Sequence, residues 1–486
     1  MKSIRKILLM QPNYGILGKR TWEMPPYGLA ILNACLADRY QVELYDPNFT
    51  QATEAEIRSY IAVFEPDVVG ITSFSTEYIE EVSFHAKLVR EVRPDCCIVI
   101  GGAFPTVMPE KAIADPNVDF CILGEGEKSF PALLSLLEER NANYDAIDGV
   151  AFKNNGVAVI SPAKVFIESL DLVPFPDYGN LNLTDYGNFR FKYAHYLVPR
   201  QFPFAMTITS RGCPFDCIFC AAKTVSGTKV RLRSAENVLQ EIDMLCAKYG
   251  MKEIVFLDDH FLHNQQRARL IAEGIRSRNY GLTWKCSNVA VFSLNDDLLE
   301  VMKNSGCYQL TLSLESGSQE VLKNIIRKPV DLKKSREIIR NAKKLGYEII
   351  SNFVIGFPGE TWDQIRQTVD FAQSLDIDLV NFHIATPMPK TRLMDICIKE
   401  GFLDSEDDLI SGYTKGIIST SEFSSMDLQI LRAYEWDRIN FSSPEKSCKI
   451  AQIEGIALQE VADWRKNTRR SLGTTMNWKE RSSGQN

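Results

Sequence analysis

Three cysteines within one short loop are the most chemically pointed feature of the 486-residue sequence. Cys213, Cys217 and Cys220 form a C-x3-C-x2-C triplet in RGCPFDCIFC, residues 211 to 220, after the apolar run FAMTITS. Soft thiolate ligands at this density suit zinc or an iron–sulfur cluster, and structural zinc normally takes four protein ligands. No fourth ligand is close: His195 precedes the loop, and Cys246 lies in a helical pattern where it reads as core. The loop best fits a four-iron four-sulfur (4Fe-4S) cluster with one iron open to a non-protein ligand. The plainer alternatives are a zinc knuckle or three unrelated buried thiols.

Other polar groups recur where apolar runs end. Asp258 and Asp259 close EIVFLDD, Glu315, Ser316 and Gly317 close the SLESG run, and IGFPGE spans residues 355 to 360. Carboxylates in such places accept hydrogen bonds from ammonium and hydroxyl groups, and glycines let a ring approach the backbone. Helix capping explains Asp258 or Glu315 singly but not the whole series. His260 and His263 stand just beyond the acidic pair, without a third metal ligand nearby, and read as surface or cleft histidines. His383 sits on the last apolar run.

Together these residues resemble the radical S-adenosylmethionine (SAM) enzymes, whose cluster loop has this spacing with an aromatic before the last cysteine, here Phe219. In that family the open iron is chelated by SAM, and an electron from the cluster splits SAM into methionine and a 5'-deoxyadenosyl radical. The resemblance implies that Phe219, Asp258, Asp259, Glu315, Ser316, Ile355 and Gly356 belong to the SAM site. The acidic pair would meet the amino group, and Ile355 and Gly356 would face adenine. It also implies a flavodoxin- or ferredoxin-type electron donor.

The elements that must position these groups are legible as periodic patterns. Residues 204–395 alternate six strand-like runs with helical ones, predicting a partial (β/α)6 barrel whose chemistry sits at the carboxyl ends of its strands. Thr361 followed by Gln364 carries a capping signal for one of its helices. Residues 1–148 show the same alternation over about five strands, predicting a doubly wound, Rossmann-like (flavodoxin-like) α/β domain. Residues 149–203 comprise a hairpin around Asn154, Asn155 and Gly156 and an aromatic linker in which Tyr193 and Tyr196 either line a cleft or bridge domains. A helical segment, 396–466, is expected as helices over 426–440 and 444–464, and the polar tail 467–486 as disordered.

The strand ends of the first domain are small and polar: Ser73, Ser75 and Thr76, then Gly101 and Gly102, then Gly124, Glu125 and Gly126. Two readings stand side by side, tight strand-to-helix turns and a floor for a large flat ligand. No G-x-G-x-x-G fingerprint is present, which disfavours a nicotinamide cofactor. PPYGLAIL, GGAFPTVMPEKAI and LGEGE resemble the cobalamin (B12)-binding subclass of radical SAM enzymes, which implies that these strand ends bind corrinoid. The Asp-x-His-x-x-Gly motif that supplies a cobalt-ligating histidine in many B12 proteins is absent, since Asp258 to His260 lies in the later domain and lacks the glycine. Histidine is therefore not expected on the cobalt.

Composition narrows the partners. A net charge of −7 argues against a nucleic-acid-binding surface. The opening apolar run ILLM is too short for a signal peptide, and no stretch reaches membrane-spanning length, so a cytoplasmic location is expected. Twelve cysteines in so long a chain are not a disulfide framework, and Cys35, Cys121, Cys246 and Cys307 read as buried thiols. The resemblance implies a B12-dependent radical SAM methyltransferase acting on an unactivated carbon or phosphorus centre of a small molecule, lipid or peptide. A B12 radical SAM cyclase or ring-rearranging enzyme of the porphyrin-cyclase kind is the alternative, and a non-enzymatic B12 sensor is a third.

Overall fold

The computed structural model describes residues 4–188, 197–403 and 416–473; His195, Tyr193, Tyr196 and the tail beyond 473 lie outside it. Its first sheet has seven strands: β1 (Lys6–Met10), β2 (Gln41–Tyr45), β3 (Val68–Ser73), β4 (Cys97–Gly102), β5 (Phe120–Ile122), β6 (Val150–Asn154) and β7 (Val157–Ser161). Their order is β2-β1-β3-β4-β5-β6-β7. The first five pair in parallel, in the flavodoxin-like order, and the last two form an antiparallel hairpin. β1 and β4 are apolar runs whose middle residues are all buried, as strands covered on both faces must be. The hairpin turns at Asn155 and Gly156, with φ of 51° and 81°, where their tolerance of left-handed backbone is required.

The six expected strands of the second sheet are present as β8 (Phe204–Thr207), β11 (Glu253–Phe256), β12 (Thr283–Val289), β13 (Cys307–Glu315), β14 (Glu348–Ile355) and β15 (Leu379–Ile384). Their order is β15-β14-β13-β12-β11-β8, and β12 through β15 pair in parallel. A short antiparallel ribbon of β9 (Ser210–Arg211) and β10 (Arg231–Leu232) is an addition that periodicity did not foretell. The capping box at Thr361 and Gln364 forms as expected and starts the helix Trp362–Gln373.

The described residues group into two compact units. One gathers Met1–Arg190, Gln201–Pro214 and Ala221–Ile254; the other gathers Phe191–Arg200, Phe215–Cys220 and Val255–Asn486.

In the second unit the helix Ser425–Asn440 lies along β15, and its N-terminus carries a capping box of Ser424 and Asp427. Residues 444–464, expected as one helix, divide into Pro444–Glu454 and Leu458–Gly473. Gly455 takes a φ of 62° and ends the first of them, because glycine enters the left-handed C-terminal conformation without a Cβ clash. The last helix runs past residue 467, into the segment expected as tail. Phe423 and Leu428 bury against Ile355, Ile365 and Ile384, which joins this segment to the ends of β14 and β15.

Asn440 completes that junction. Its buried carboxamide accepts from Val380 N–H at 2.8 Å and donates to Val380 C=O at 2.7 Å, supplying the partners that the edge strand lacks. Asn440→Ala leaves two buried backbone groups unpaired and is expected to cost roughly 2–5 kcal/mol. Denaturant unfolding followed by circular dichroism measures this; a loss below about 1 kcal/mol would mean that water replaces the amide.

Candidate functional site

The cluster loop is held at its backbone and leaves its thiols uncovered. In the first unit, Cys213 N–H donates to Gly227 C=O at 3.2 Å. In the second, Ile218 N–H donates to Ile326 C=O at 3.2 Å, Leu393 N–H donates to Ile218 C=O at 2.8 Å, and Cys220 N–H donates to Cys217 C=O at 3.1 Å. Asp216 meets Arg392 at 3.0 Å and Arg327 at 3.7 Å. Phe219 lies 5.7 Å from Phe357, ring to ring. Cys213 and Cys217 are partly exposed and Cys220 exposed, whereas Cys96, Cys97, Cys121, Cys286, Cys307 and Cys397 are buried.

Around the loop, the second unit brings together most of the expected strand-end groups. Glu315 ends β13 with a φ of 66°, a left-handed conformation costly for a side-chain-bearing residue. Its carboxylate takes a hydrogen bond from Lys328 Nζ at 2.7 Å, and the same ammonium donates to Ser313 C=O at 3.0 Å. Burial pulls the Lys328 ammonium down, but Glu315 and the Cys217 and Cys220 thiols outweigh it, so its pKa stands above the ordinary value. Lys328 follows a π-helical turn, Val321–Ile326. Sequence patterning had no signal for it beyond charge, since its role comes from the carboxylate thirteen residues earlier.

Asp258 is buried and Asp259 half-buried at the end of β11. His260 is buried too, not on the surface: its Nε2 meets Ser293 Oγ at 3.0 Å, and its ring lies 5.4 Å from Phe215 of the cluster loop. Burial first, then the charges of His263 and Lys328, lower its pKa to about 4. His263 is exposed and His383 half-buried on β15. Ser316, expected at SAM, has its hydroxyl within 3.0 Å of Thr368 Oγ1 and accepts from Ser318 N–H at 3.1 Å, which docks the turn onto the helix Trp362–Gln373.

Ile355 is core, and Gly356 turns the backbone at a φ of 86°. A Cβ at Gly356 would collide with Leu428 Cδ1. Glu360, which the motif contained but the reading passed over, organises this turn: one carboxylate oxygen accepts from Gly356 N–H at 2.7 Å and Phe357 N–H at 3.1 Å. The other oxygen is buried without a partner. Burial pushes the Glu360 carboxyl up to about 7, against the downward pull of the two amides.

In the first unit, the expected strand ends are knitted by Thr106, which sequence reasoning missed. Its hydroxyl donates to Gly102 C=O at 2.7 Å and accepts from Gly124 N–H at 2.9 Å. Gly102, at a φ of 101°, lies against the backbone of Ser73, and a Cβ at Gly101 would make ordinary contact with Ile122. Ser75 caps a short turn beginning at buried Thr76, and Gly126 starts the helix that follows β5. Phe74 between the two serines is 39% exposed and stands edge-on to Tyr14 at 4.9 Å. Glu125 is engaged elsewhere: it pairs with Arg211 at 3.1 Å and Arg231 at 2.6 Å, and accepts from Ile167 N–H at 2.7 Å.

These residues fit the implied cofactors in their chemistry. Three partly or fully exposed cysteines in one loop suit an iron–sulfur cluster in their chemistry, though among the described residues no three His, Cys, Asp or Glu side chains are gathered closely enough to hold a metal ion. Partly exposed backbone at Gly101 and Gly102, with the exposed phenyl ring of Phe74 at the end of the neighbouring strand, suits a flat macrocycle. His85, the described histidine of this unit, has Nδ1 at 2.7 Å from Glu81 C=O and accepts from Asn13 N–H at 3.1 Å, so neither ring nitrogen is left for a metal.

Comparison with known proteins agrees with this layout. The Radical SAM superfamily matches residues 207–372, and the B12 binding domain matches residues 15–134. An uncharacterized methyltransferase of Pyrococcus horikoshii is 32% identical over 405 residues, covering 83% of this chain and 85% of the relative. Cytidylyl-2-hydroxyethylphosphonate methyltransferase of Streptomyces wedmorensis is 31% identical over 398 residues, covering 76% and 73%. The structure of OxsB, a cobalamin-dependent S-adenosylmethionine radical enzyme with aqua-cobalamin bound, superposes with a TM-score of 0.73 at 16% identity, covering 96% and 72%, a likeness of fold.

Glu360 predicts a pH dependence. The folded carboxyl holds its proton up to about 7 while the unfolded one releases it near 4.5, so folding takes up a proton between these values. Stability contributed by this group is complete below pH 4.5 and is lost as pH rises through 7. Urea unfolding at pH 5 and pH 8 should show wild type falling relative to Glu360→Gln by roughly 2–4 kcal/mol. A constant difference between the two proteins would show that Glu360 ionises as an ordinary carboxylate.

Proposed function

The chain belongs to the radical SAM family whose members carry a B12-binding domain, and on that footing we propose that it is a cobalamin-dependent radical SAM methyltransferase. The target is an unactivated carbon or phosphorus centre; the cytidylyl-2-hydroxyethylphosphonate methyltransferase among its relatives supports a phosphonate-bearing small molecule as one substrate class. The observation that carries the reading is the uncovered cysteine loop beside the buried Lys328–Glu315 pair.

Cys213, Cys217 and Cys220 would hold the cluster; Asp258, Asp259, Glu315 and the backbone at Gly356 would hold SAM, and Phe219 would flank it. Ser73, Phe74, Gly101 and Gly102 would floor the corrinoid. When bound, the cluster and SAM supply one-electron chemistry and the corrinoid carries a methyl group. Lys328 fixes the Glu315 carboxylate and places a permanent positive charge near Cys217 and Cys220, favouring the thiolate form that binds iron. Buried Asp258, His260 and Glu315 lie where water is scarce, so hydrogen bonds to a charged ligand are stronger there than at the surface. A flavodoxin- or ferredoxin-type donor and a cytoplasmic setting complete the reading. Among the described residues no helix is long and apolar enough to cross a membrane.

Changing any one of Cys213, Cys217 or Cys220 to Ala should abolish the cluster's visible absorption and SAM cleavage together. A variant that kept iron and activity would remove that cysteine from the assignment. Turnover should release S-adenosylhomocysteine and 5'-deoxyadenosine in nearly equal amounts, whereas a cyclase gives only the second. The holoprotein's cob(II)alamin signal should lack histidine-nitrogen hyperfine structure, because His85 is committed within the fold; its presence would contradict the floor assigned here.

A further inference from the structure

The helix Ser425–Asn440 carries a cation that no acidic group among the described residues neutralises. Leu428, Arg432, Trp436 and Asn440 recur at every fourth residue and so share one side of the helix. Both ends of that series are fixed: Leu428 sits against Gly356 in the cluster with Ile355 and Ile384, and Asn440 holds the edge of β15 at Val380. Arg432 therefore lies along the flank of β15, one turn from the IGFPGE strand end.

Its Nε is sealed from solvent without a hydrogen-bond partner among the described residues, while the residue as a whole keeps partial exposure. The guanidinium is thus covered at Nε, and the residue's remaining exposure leaves a path for a small ligand to reach it. The acids of its own helix are committed elsewhere: Asp427 to the Ser424 cap, Glu435 to Arg438 at 2.7 Å, and Asp437 to Arg465 and Arg469 at 2.6 and 3.1 Å. Among the described residues no carboxylate pairs with Arg432, and burial alone acts on it, pulling its pKa below the ordinary value. A guanidinium does not shed its proton, and a covered charge without a counter-ion is destabilising. Its planar fork matches a carboxylate or phosphate-type oxyanion.

We propose that Arg432 anchors an anionic group of the substrate, a carboxylate or a phosphate- or phosphonate-type oxyanion, beside the Gly356 strand end. The word substrate rests on the methyltransferase reading; the anion site does not.

The test compares the full-length, cluster-loaded wild type with Arg432→Met and Arg432→Lys by thermal unfolding at one ionic strength in chloride, inorganic phosphate or acetate. SAM affinity is measured alongside by equilibrium dialysis. In chloride, Arg432→Met should melt above wild type because an uncompensated charge is gone. Phosphate, acetate or both should raise the wild-type midpoint, raise that of Arg432→Lys less, and leave that of Arg432→Met unmoved, with SAM affinity unchanged within twofold. The anion that acts tells phosphate-type from carboxylate recognition. No anion-dependent shift in wild type, or equal shifts in all three proteins, overturns the proposal. So does a tenfold loss of SAM affinity in Arg432→Met, which would make SAM's own carboxylate the anion. Should Arg432→Met not fold, equal shifts in wild type and Arg432→Lys overturn it and a smaller lysine shift supports it. Failure of methyl transfer would leave the anion-dependent shift in place, so the two readings fail separately.

Discussion

A buried ion pair, Lys328 with Glu315, holds the carboxyl edge of the second unit together. It links the end of β13 to the segment that follows the π-helical turn, and Ile326, the last residue of that turn, fixes the middle of the cluster loop through Ile218. Removing either partner would strand a charge in a covered place, at a cost of about 3–5 kcal/mol. A pair so placed adds little net stability compared with apolar residues of the same shape. Its value is geometric: the carboxylate is held in one position although its backbone sits at a φ of 66°.

The C-terminal helices belong to the same construction. Leu428 fills the space that a side chain at residue 356 would need, and Asn440 substitutes for a missing strand neighbour. Glu360 closes the turn between them by gathering two consecutive amides. Three chemically different devices thus fix these strands: a packed leucine and a carboxyl raised by burial at the end of the fifth, and a paired carboxamide near the start of the sixth.

Much of this was legible in the sequence because it is periodic or local. Strands buried on both faces read as apolar runs, the Asn155–Gly156 turn announces itself by residue type, and the Thr361 capping box lies within four residues. Cys213, Cys217 and Cys220 stand out by spacing. What was not legible depends on partners distant in the chain. Thr106 is an unremarkable helical threonine until Gly102 and Gly124 meet it, and Glu125 looks like a ligand-facing acid until Arg211 and Arg231 claim it. The β9–β10 ribbon is too short to leave a pattern, and Gly455 breaks a helix that amphipathicity alone would continue.

The π-helical turn Val321–Ile326 has a consequence for how this chain can vary in length. A π-turn holds one residue more than an α-turn would, stored as a bulge at a modest energetic cost. Losing a single residue there would let the segment relax to ordinary helical pitch, and because the wider turn absorbs the extra residue locally, the chain would leave it in nearly the same direction. Lys328 would keep its approach to Glu315, and the end of the turn its hold on the cluster loop. A one-residue gap at this point in a set of homologous sequences is therefore compatible with an unchanged site architecture, although it falls inside a helix, where a gap would ordinarily shift every later residue.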